Sequence, residues 1–357
     1  AVPAFSTDLD DAWTAWRDGN VDNVRGRLEG NDEDDAWRHL EFMVMSVSGE
    51  YEEALNVYSL ISSSYAKIGE LDRPYVEACK HLGRIDIALE FAKARGMDDS
   101  LVDILEGQQA KPLQVTLAGV TTIPFADHPL TQYLPAFAAE LNGKAVTAHV
   151  DTGGTFLIMG PARAVALGIE TAAAGKGFHG SNPVDMRVGI ADSFRLGDAV
   201  LENVPVATLA SLKGSQDFVI FGTNLLEQFY STLDYPRSRL ILSPRRNEAT
   251  TKEHRSMLPE NVTRVPFYMW GDHYMFARGG VGEHGNLNLF IDSGLVSAHA
   301  DGKGGTVQAA FTTTRKNFSA WGALDDDSKA RHFWLQQPLN LGELEQDDLY
   351  GVIMSVG

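Results

Sequence analysis

The 357-residue sequence predicts a multi-domain chain of the α plus all-β class, with an α-helical repeat region over 1–110 and a duplicated β-rich unit from 111 onward. Three observations predict it. The first 110 residues are rich in charged and helix-forming types with few β-branched runs, and three similar stretches recur there: "DGNVDNVRGRL", "SGEYEEALNVYSLI" and "LGRIDIALEFAKA". Beyond 111, apolar and polar residues alternate with the period of a half-buried strand. Two of those strands, "AVTAHV" and "NLNLFI", each run into an acid, a small hydroxyl residue and a glycine: Asp151-Thr152-Gly153 and Asp292-Ser293-Gly294.

In the helical region Gly19, Gly49 and Gly83 are 30 and 34 residues apart, and each is followed by an acid and, in the second and third stretches, by Ala54 and Ala88. This pattern resembles tetratricopeptide-type helix pairs. The first stretch departs from it, with Val24 where the alanine belongs. The glycines are expected to end the first helix of each pair, and the alanines to let the helices pack closely. "MDDSLVDILEGQQA" reads as a last, capping helix. Such a region can present a concave surface to a protein partner or substrate, or serve only as a scaffold; both readings stay open.

In the β-rich part the upstream context repeats along with the acid. Pro124-Phe125 precedes Asp151 by 27 residues and Pro266-Phe267 precedes Asp292 by 26, counted from the prolines. Each copy reads as a strand, a second strand, a glycine-bearing hairpin turn (Asn142-Gly143 and Gly285-Asn286) and a third strand ending at the acid. The polar segment "SPRRNEATTKEHRS" at 243–256 reads as the linker, which divides the β part into 111–245 and 246–357.

A lone aspartate at a strand end is commonly only a turn residue, because its carboxyl bonds backbone amides two positions on. Two of them in duplicated settings suggest a pair. Two carboxyls within hydrogen-bonding reach cannot both ionise cheaply, so they share a proton and titrate as a unit. One then acts as base and the other as acid, which suits hydrolysis of an amide by water.

The first copy resembles the retropepsin-like aspartic proteases over about 115–245. The resemblance rests on Asp151-Thr152-Gly153, on the glycine-rich "GKGFHGSNP" where a flap tip falls, and on "VIFGTNLLEQFYSTLDYPRSRLIL". The second copy matches from Val265 to Gly294, and the arrangement of two such lobes in one chain is similar to that of the pepsins. The resemblance implies two β-barrel lobes with Asp151 and Asp292 as the catalytic acids. It implies that Thr152 and Ser293 bond across to the opposite loop, with Gly153 and Gly294 allowing close approach. Ile220, Phe221 and Gly222 would brace the first loop, and Gly177, Phe178 and Gly180 would form a flap over substrate. Leu349-Tyr350-Gly351 is the best bracing candidate in the second copy, where the helix and closing strand of the first copy have no counterpart; an incomplete second lobe is expected.

The activity this implies is that of an aspartic endopeptidase acting on peptides or proteins. Other readings are a protease-like protein that binds peptides without cutting them, a homodimeric protease using Asp151 alone, and a helical-repeat protein with the β part as its scaffold. No cofactor or metal is called for. The acid run "GNDEDDAW" lacks the spacing of a calcium loop, the ten histidines form no His-Glu-x-x-His pattern, and His149 reads as a packed strand residue.

Composition narrows the partners. A formal charge of −18 and a pI near 4.9 argue against nucleic acid, which is bound by basic stripes. No run reaches the roughly 18 apolar residues of a membrane span. The one cysteine, Cys79, cannot form an intramolecular disulfide and reads as a packed core residue. A periplasmic or secreted setting is expected, with the cytoplasm as the alternative.

Overall fold

The computed structural model describes residues 6–28, 30, 34–179, 182–212, 218–245, 247–295, 298–300, 306–321 and 332–353. Contacts divide the chain into two units, Ala1–Gln109 with Phe267–Asp272, and Ala110–Pro266 with His273–Gly357.

The first unit is helical: α1 (Ser6–Arg17), α2 (Val21–Leu28), α3 (Asp35–Val47), α4 (Tyr51–Leu60), α5 (Asp72–His81), α6 (Ile85–Ala94) and α7 (Asp99–Ala110). Helices α1 with α2, α3 with α4 and α5 with α6 pack as pairs. Gly19, Gly49 and Gly83 sit between the helices of each pair at φ 66°, 79° and 71°, a region where a side chain is strained. Each glycine amide donates to the carbonyl three residues back, and the next amide donates to the carbonyl five back, as in Asn20 to Ala15 and Arg84 to Cys79. This is a helix stop that uses otherwise orphaned carbonyls. Val24, Ala54 and Ala88 are all fully buried, so valine is accommodated where the other pairs have alanine.

Asp34 accepts from the amide of Ala36 as the cap of α3, which gives the acid run a local role at that position. Cys79 lies among Val76, Ala88 and Leu89, and burial pushes its thiol up to about 11, so it is an inert packing residue. Residues 267–272 return to this unit: the Tyr268 hydroxyl donates to Asp22 at 2.6 Å, and Lys80 pairs with Asp272 at 3.1 Å.

The second unit is β-rich. Its first part contains β1 (Gln114–Thr116), β2 (Thr121–Pro124), β3 (Ala136–Leu141), β4 (Lys144–Val150), β5 (Leu157–Met159), β6 (Thr171–His179), β7 (Asn182–Leu196), β8 (Ala199–Leu209), β9 (Phe218–Phe221), β10 (Phe229–Asp234) and β11 (Arg239–Pro244). The pairing runs β8-β5-β9-β4-β3-β7, and β7 also pairs with β8, which closes the path into a ring. Closure leaves no free edge on these strands. Phe137, Leu157, Met159, Phe194 and Phe221 fill the interior. The turn Asn142-Gly143, at φ 49° and 72°, joins β3 to β4 as the sequence predicts. Strands β10, β11 and β2 form a separate antiparallel sheet.

The segment read as a linker is more ordered than its polarity suggests. Glu248–Ser256 is a helix capped by Asn247, and His254 is buried between the hydroxyls of Thr232 and Ser243 at 2.7 and 2.5 Å. One buried histidine with two hydroxyl partners anchors a helix whose other side chains are mostly polar.

In the later part, Tyr274–Val281 pairs with His284–Phe290 and also with Leu339–Leu341, which pairs with Leu344–Gln346. The hairpin turn falls at 282–283, with Gly282 at φ 54°, and not at Gly285-Asn286; Asn286 takes φ 62° inside the strand. Tyr350–Ile353 runs parallel to Phe311–Thr313 and antiparallel to His332–Trp334. Val281, Trp321, Phe333 and Leu335 are buried together here.

Candidate active site

Strand β4 delivers Asp151 to its end because its register with β9 is fixed, Val150 standing opposite Phe221. The Asp151 amide donates to the Phe221 carbonyl at 3.0 Å. The chain then turns through Thr152, Gly153 and Gly154, and Gly154 donates back to the Asp151 carbonyl at 3.0 Å. Gly222 lies against this turn so closely that an added Cβ would meet the carbonyl oxygens of Thr155 and Gly154 at 2.1 and 2.2 Å. Only a glycine fits, and the two buried residues before it, Ile220 and Phe221, hold it there. These contacts place the triplet expected to brace the loop directly against it.

The loop carrying Asp292 is set by the amide of Ile291, which donates to Met275 at 2.9 Å. In both loops the glycine amide donates to the acid two positions earlier, Gly153 to Asp151 Oδ1 and Gly294 to Asp292 Oδ1, each at 2.8 Å. The loops are cross-linked. Thr152 N donates to Ser293 Oγ at 3.0 Å, Ser293 N to Thr152 Oγ1 at 2.9 Å, and Thr152 Oγ1 to the Ile291 carbonyl at 2.8 Å.

That bonding sets the carboxyls of Asp151 and Asp292 side by side: a Cβ added at Gly153 would touch both, Asp292 Oδ1 at 2.9 Å and Asp151 Oδ1 at 3.1 Å. There is no space for other side chains between the loops: an added Cβ at Gly294 would lie 2.2 Å from the Asp151 carboxyl carbon, and one at Gly153 would lie 2.9 Å from Asp292 Oδ1. Burial first, and then the charge of Asp292, push the Asp151 carboxyl up to about 7; the Gly153 amide and, more weakly, His273 act against them.

The other predicted residues stand as follows. Gly177 and Phe178 lie in β6, paired with Val184 and Pro183 of β7, and an added Cβ on Gly177 would meet Met186 Sδ at 3.1 Å. Gly180 lies outside the described residues. The irregularity in this hairpin falls between Ala173 and Lys176, where Gly175 takes φ 80°, a position the sequence reading passed over. His149 is buried, stacked on Phe218 and bonded to the Leu134 carbonyl, so it is a packed strand residue.

Gly351 does not brace the second loop. Its strand is parallel to Phe311–Thr313, which follows the Asp292 loop, just as β8 is parallel to β5 after the Asp151 loop. The bracing strand β9 instead runs parallel to β4, ahead of the acid. An added Cβ on Gly351 would meet the Phe311 ring at 2.2 Å. Among the described residues no strand lies beside His284–Phe290 in the place that β9 takes beside β4.

Sequence reasoning missed Thr223, whose hydroxyl donates to the Thr152 carbonyl at 2.8 Å, and the bond from Thr155 Oγ1 to Asn224 Oδ1 at 2.7 Å. Their position directly after Gly222 was the available signal. Among the described residues no group of acids, histidines and cysteines is arranged to hold a metal, and no helix is long and apolar enough to cross a membrane.

The site thus consists of two adjacent carboxyls on cross-linked, glycine-bearing loops. Residues 137–225, which include Asp151-Thr152-Gly153 and Ile220-Phe221-Gly222, match the Aspartyl protease family, and this supports aspartic-protease function. Among solved structures the chain is similar to a retropepsin-like aspartic protease from Rickettsia conorii, with 20% identity, a TM-score of 0.28, and coverage of 38% of this chain and 95% of that one. No curated protein matches the chain.

Proposed function

We propose that the protein is an aspartic endopeptidase whose two acids, Asp151 and Asp292, come from two retropepsin-like lobes of one chain. The observation that carries the reading is the close approach of these carboxyls, fixed by the reciprocal Thr152 and Ser293 bonds. Asp151, raised by burial and by its partner, holds the shared proton, which leaves the other carboxylate to accept one from water. The water oxygen attacks the peptide carbonyl carbon while Asp151 protonates the carbonyl oxygen. In the tetrahedral diol that results, the proton taken from water passes to the nitrogen, one diol hydroxyl returns its proton to Asp151 as the C–N bond breaks, and an amine and a carboxylic acid leave with the acid pair restored. No cofactor enters.

Backbone geometry supports a second lobe that repeats the first. Gly197 and Asn203 have φ 59° and 58°, and Gly342 and Asp348, equally spaced, have φ 59° and 54°. Strand pairing follows suit: β3 with β4 and β7 corresponds to Tyr274–Val281 with His284–Phe290 and Leu339–Leu341. A homodimeric site built on Asp151 alone would have to break the pair within the chain. The glycine-stopped helix pairs fit a tetratricopeptide-like module that holds a substrate or protein partner, and the hairpin of β6 and β7 fits a flap.

The test is cleavage of a mixed peptide library by the full chain between pH 3 and 8, with products identified by mass. Cleavage lost in Asp151→Asn and Asp292→Asn supports the reading. Peptide binding without cleavage at any pH would leave a protease-like binding protein.

A further inference from the structure

Thr223 touches neither acid, yet it is joined to Asp151 through a single peptide group. Its hydroxyl donates to the carbonyl oxygen of Thr152 at 2.8 Å. The amide of that same peptide unit is the Gly153 N–H, which donates to Asp151 Oδ1 at 2.8 Å. A trans peptide is planar, with its N–H and C=O pointing in opposite directions. Fixing the oxygen therefore aims the N–H, and a bond at the oxygen also strengthens the donor at the nitrogen.

The hydroxyl is itself held in place. Thr223 is 4% exposed, its amide donates to the Gly154 carbonyl at 2.9 Å, and the Gly222 amide donates to the Phe156 carbonyl at 3.0 Å. Thr152 is also the residue that bonds Ile291 and Ser293 of the opposite loop. One hydroxyl thus bears on the orientation of the Asp151 carboxyl and on the residue that joins the two loops.

We propose that Thr223 is a positioning residue that aims the Gly153 amide at Asp151 and so fixes the geometry of the acid pair. The proposal deepens the aspartic-protease reading and rests on it for its kinetic consequences. Its geometric consequence stands without catalysis.

The experiment compares Thr223→Val, which keeps the shape and removes the hydroxyl, with Thr223→Ser, which restores it, in the full chain. Thermal melting and circular dichroism verify folding. For Thr223→Val the expected result is a fall in kcat on the order of 10- to 100-fold, as for a modest misplacement of reacting groups, with KM nearly unchanged. The alkaline limb of the kcat profile should move to higher pH, because a carboxylate that loses an amide donor holds its proton more tightly. Thr223→Ser should behave as the parent.

The second readout is the carboxyl-carbon NMR titration of Asp151 in chain labelled at aspartate, assigned by Asp151→Asn. It should move upward in Thr223→Val and stay in place in Thr223→Ser. If the parent cuts no peptide but the titration moves in this way, the positioning role holds and the protease reading fails. A folded Thr223→Val with parental titration overturns the proposal, as does Thr223→Ser behaving like Thr223→Val. Should Thr223→Val not fold, Thr223→Ala takes its place against Thr223→Ser, and equal behaviour of those two overturns the proposal.

Discussion

Thr152 and Ser293 each donate a backbone amide to the other's side-chain hydroxyl, at 3.0 and 2.9 Å, although 141 residues separate them. Neither bond can form unless both loops are present and face one another. The pair is therefore a geometric gauge of the site. Replacing Thr152 by alanine removes the acceptor of the Ser293 amide and the donor to Ile291, leaving partly buried groups unpaired at about 1–3 kcal/mol. Thr152→Ala should lower the thermal midpoint and cut peptide turnover, while Thr152→Ser should retain most of both. Calorimetry and kcat measured on the same preparations check this.

The acid pair should fail as a unit. Asp151→Asn and Asp292→Asn should each lower kcat/KM by several orders of magnitude. The double variant should be little worse than either single one, because groups acting together are not additive. If Asp292→Asn alone kept near-parental activity that depended on protein concentration, the site would be a homodimer of first lobes.

Asp151 also ties stability to pH with a definite sign. Its folded value is raised to about 7 from an unfolded value near 3.9. Between these two pH values the folded chain binds more protons than the unfolded one, so this group's contribution falls as pH rises through that window. Below about pH 4 both states are protonated and the penalty is absent; above about 7 it is complete. Asp151→Asn, always neutral, should melt higher than the parent at pH 8, and the gain should shrink steadily towards pH 4. A full shift of this kind is on the order of a few kcal/mol. Melting curves across pH 4–8 decide it, and a gain that does not vary with pH would contradict the raised value. In the parent, kcat should decline as pH passes 7 and the shared proton is lost.

Much of the arrangement of the candidate site could be read from residue order, because strand alternation delivers each aspartate to a turn and the turn residues are those that tight loops need. The Asn142-Gly143 hairpin was equally plain. The second hairpin was placed three residues late because "GGVGEHGNLN" contains several positions fit for a turn, and only pairing across the strands selects 282–283. Leu349-Tyr350-Gly351 misled because two apolar residues and a glycine suit a strand against a large ring as well as a brace against a loop. Polarity hid the helix at Glu248–Ser256, whose anchor is one buried histidine. The place of Thr223 directly after Gly222 marked it as a residue near the loop, but its bond to Thr152 depends on where β9 ends relative to β4, a tertiary fact.

Glycines at the site should tolerate alanine in inverse order of their crowding, and this separates a packed dyad from a pair of ordinary turns. At Gly294 an added methyl would lie within 2.2–2.4 Å of three atoms of the Asp151 carboxyl, so Gly294→Ala must drive the acids apart. At Gly222 the obstacle is backbone, the carbonyls of Gly154 and Thr155, which cannot rotate aside as a side chain does. At Gly143 nothing lies within 4 Å, and only the left-handed φ of 72° resists a side chain, a cost of about 1 kcal/mol. Gly222→Ala should therefore be the most destabilising, by more than about 4 kcal/mol or to the point of not folding, the range of severe packing errors. Gly294→Ala should stay folded with turnover reduced at least about 100-fold, as expected when reacting groups are displaced by an ångström. Gly143→Ala should keep full activity with a small loss in midpoint. Urea melts and single-turnover cleavage on the three variants test the order, and a fully active Gly294→Ala would mean that the two carboxyls do not need the contact on which the proposed chemistry depends.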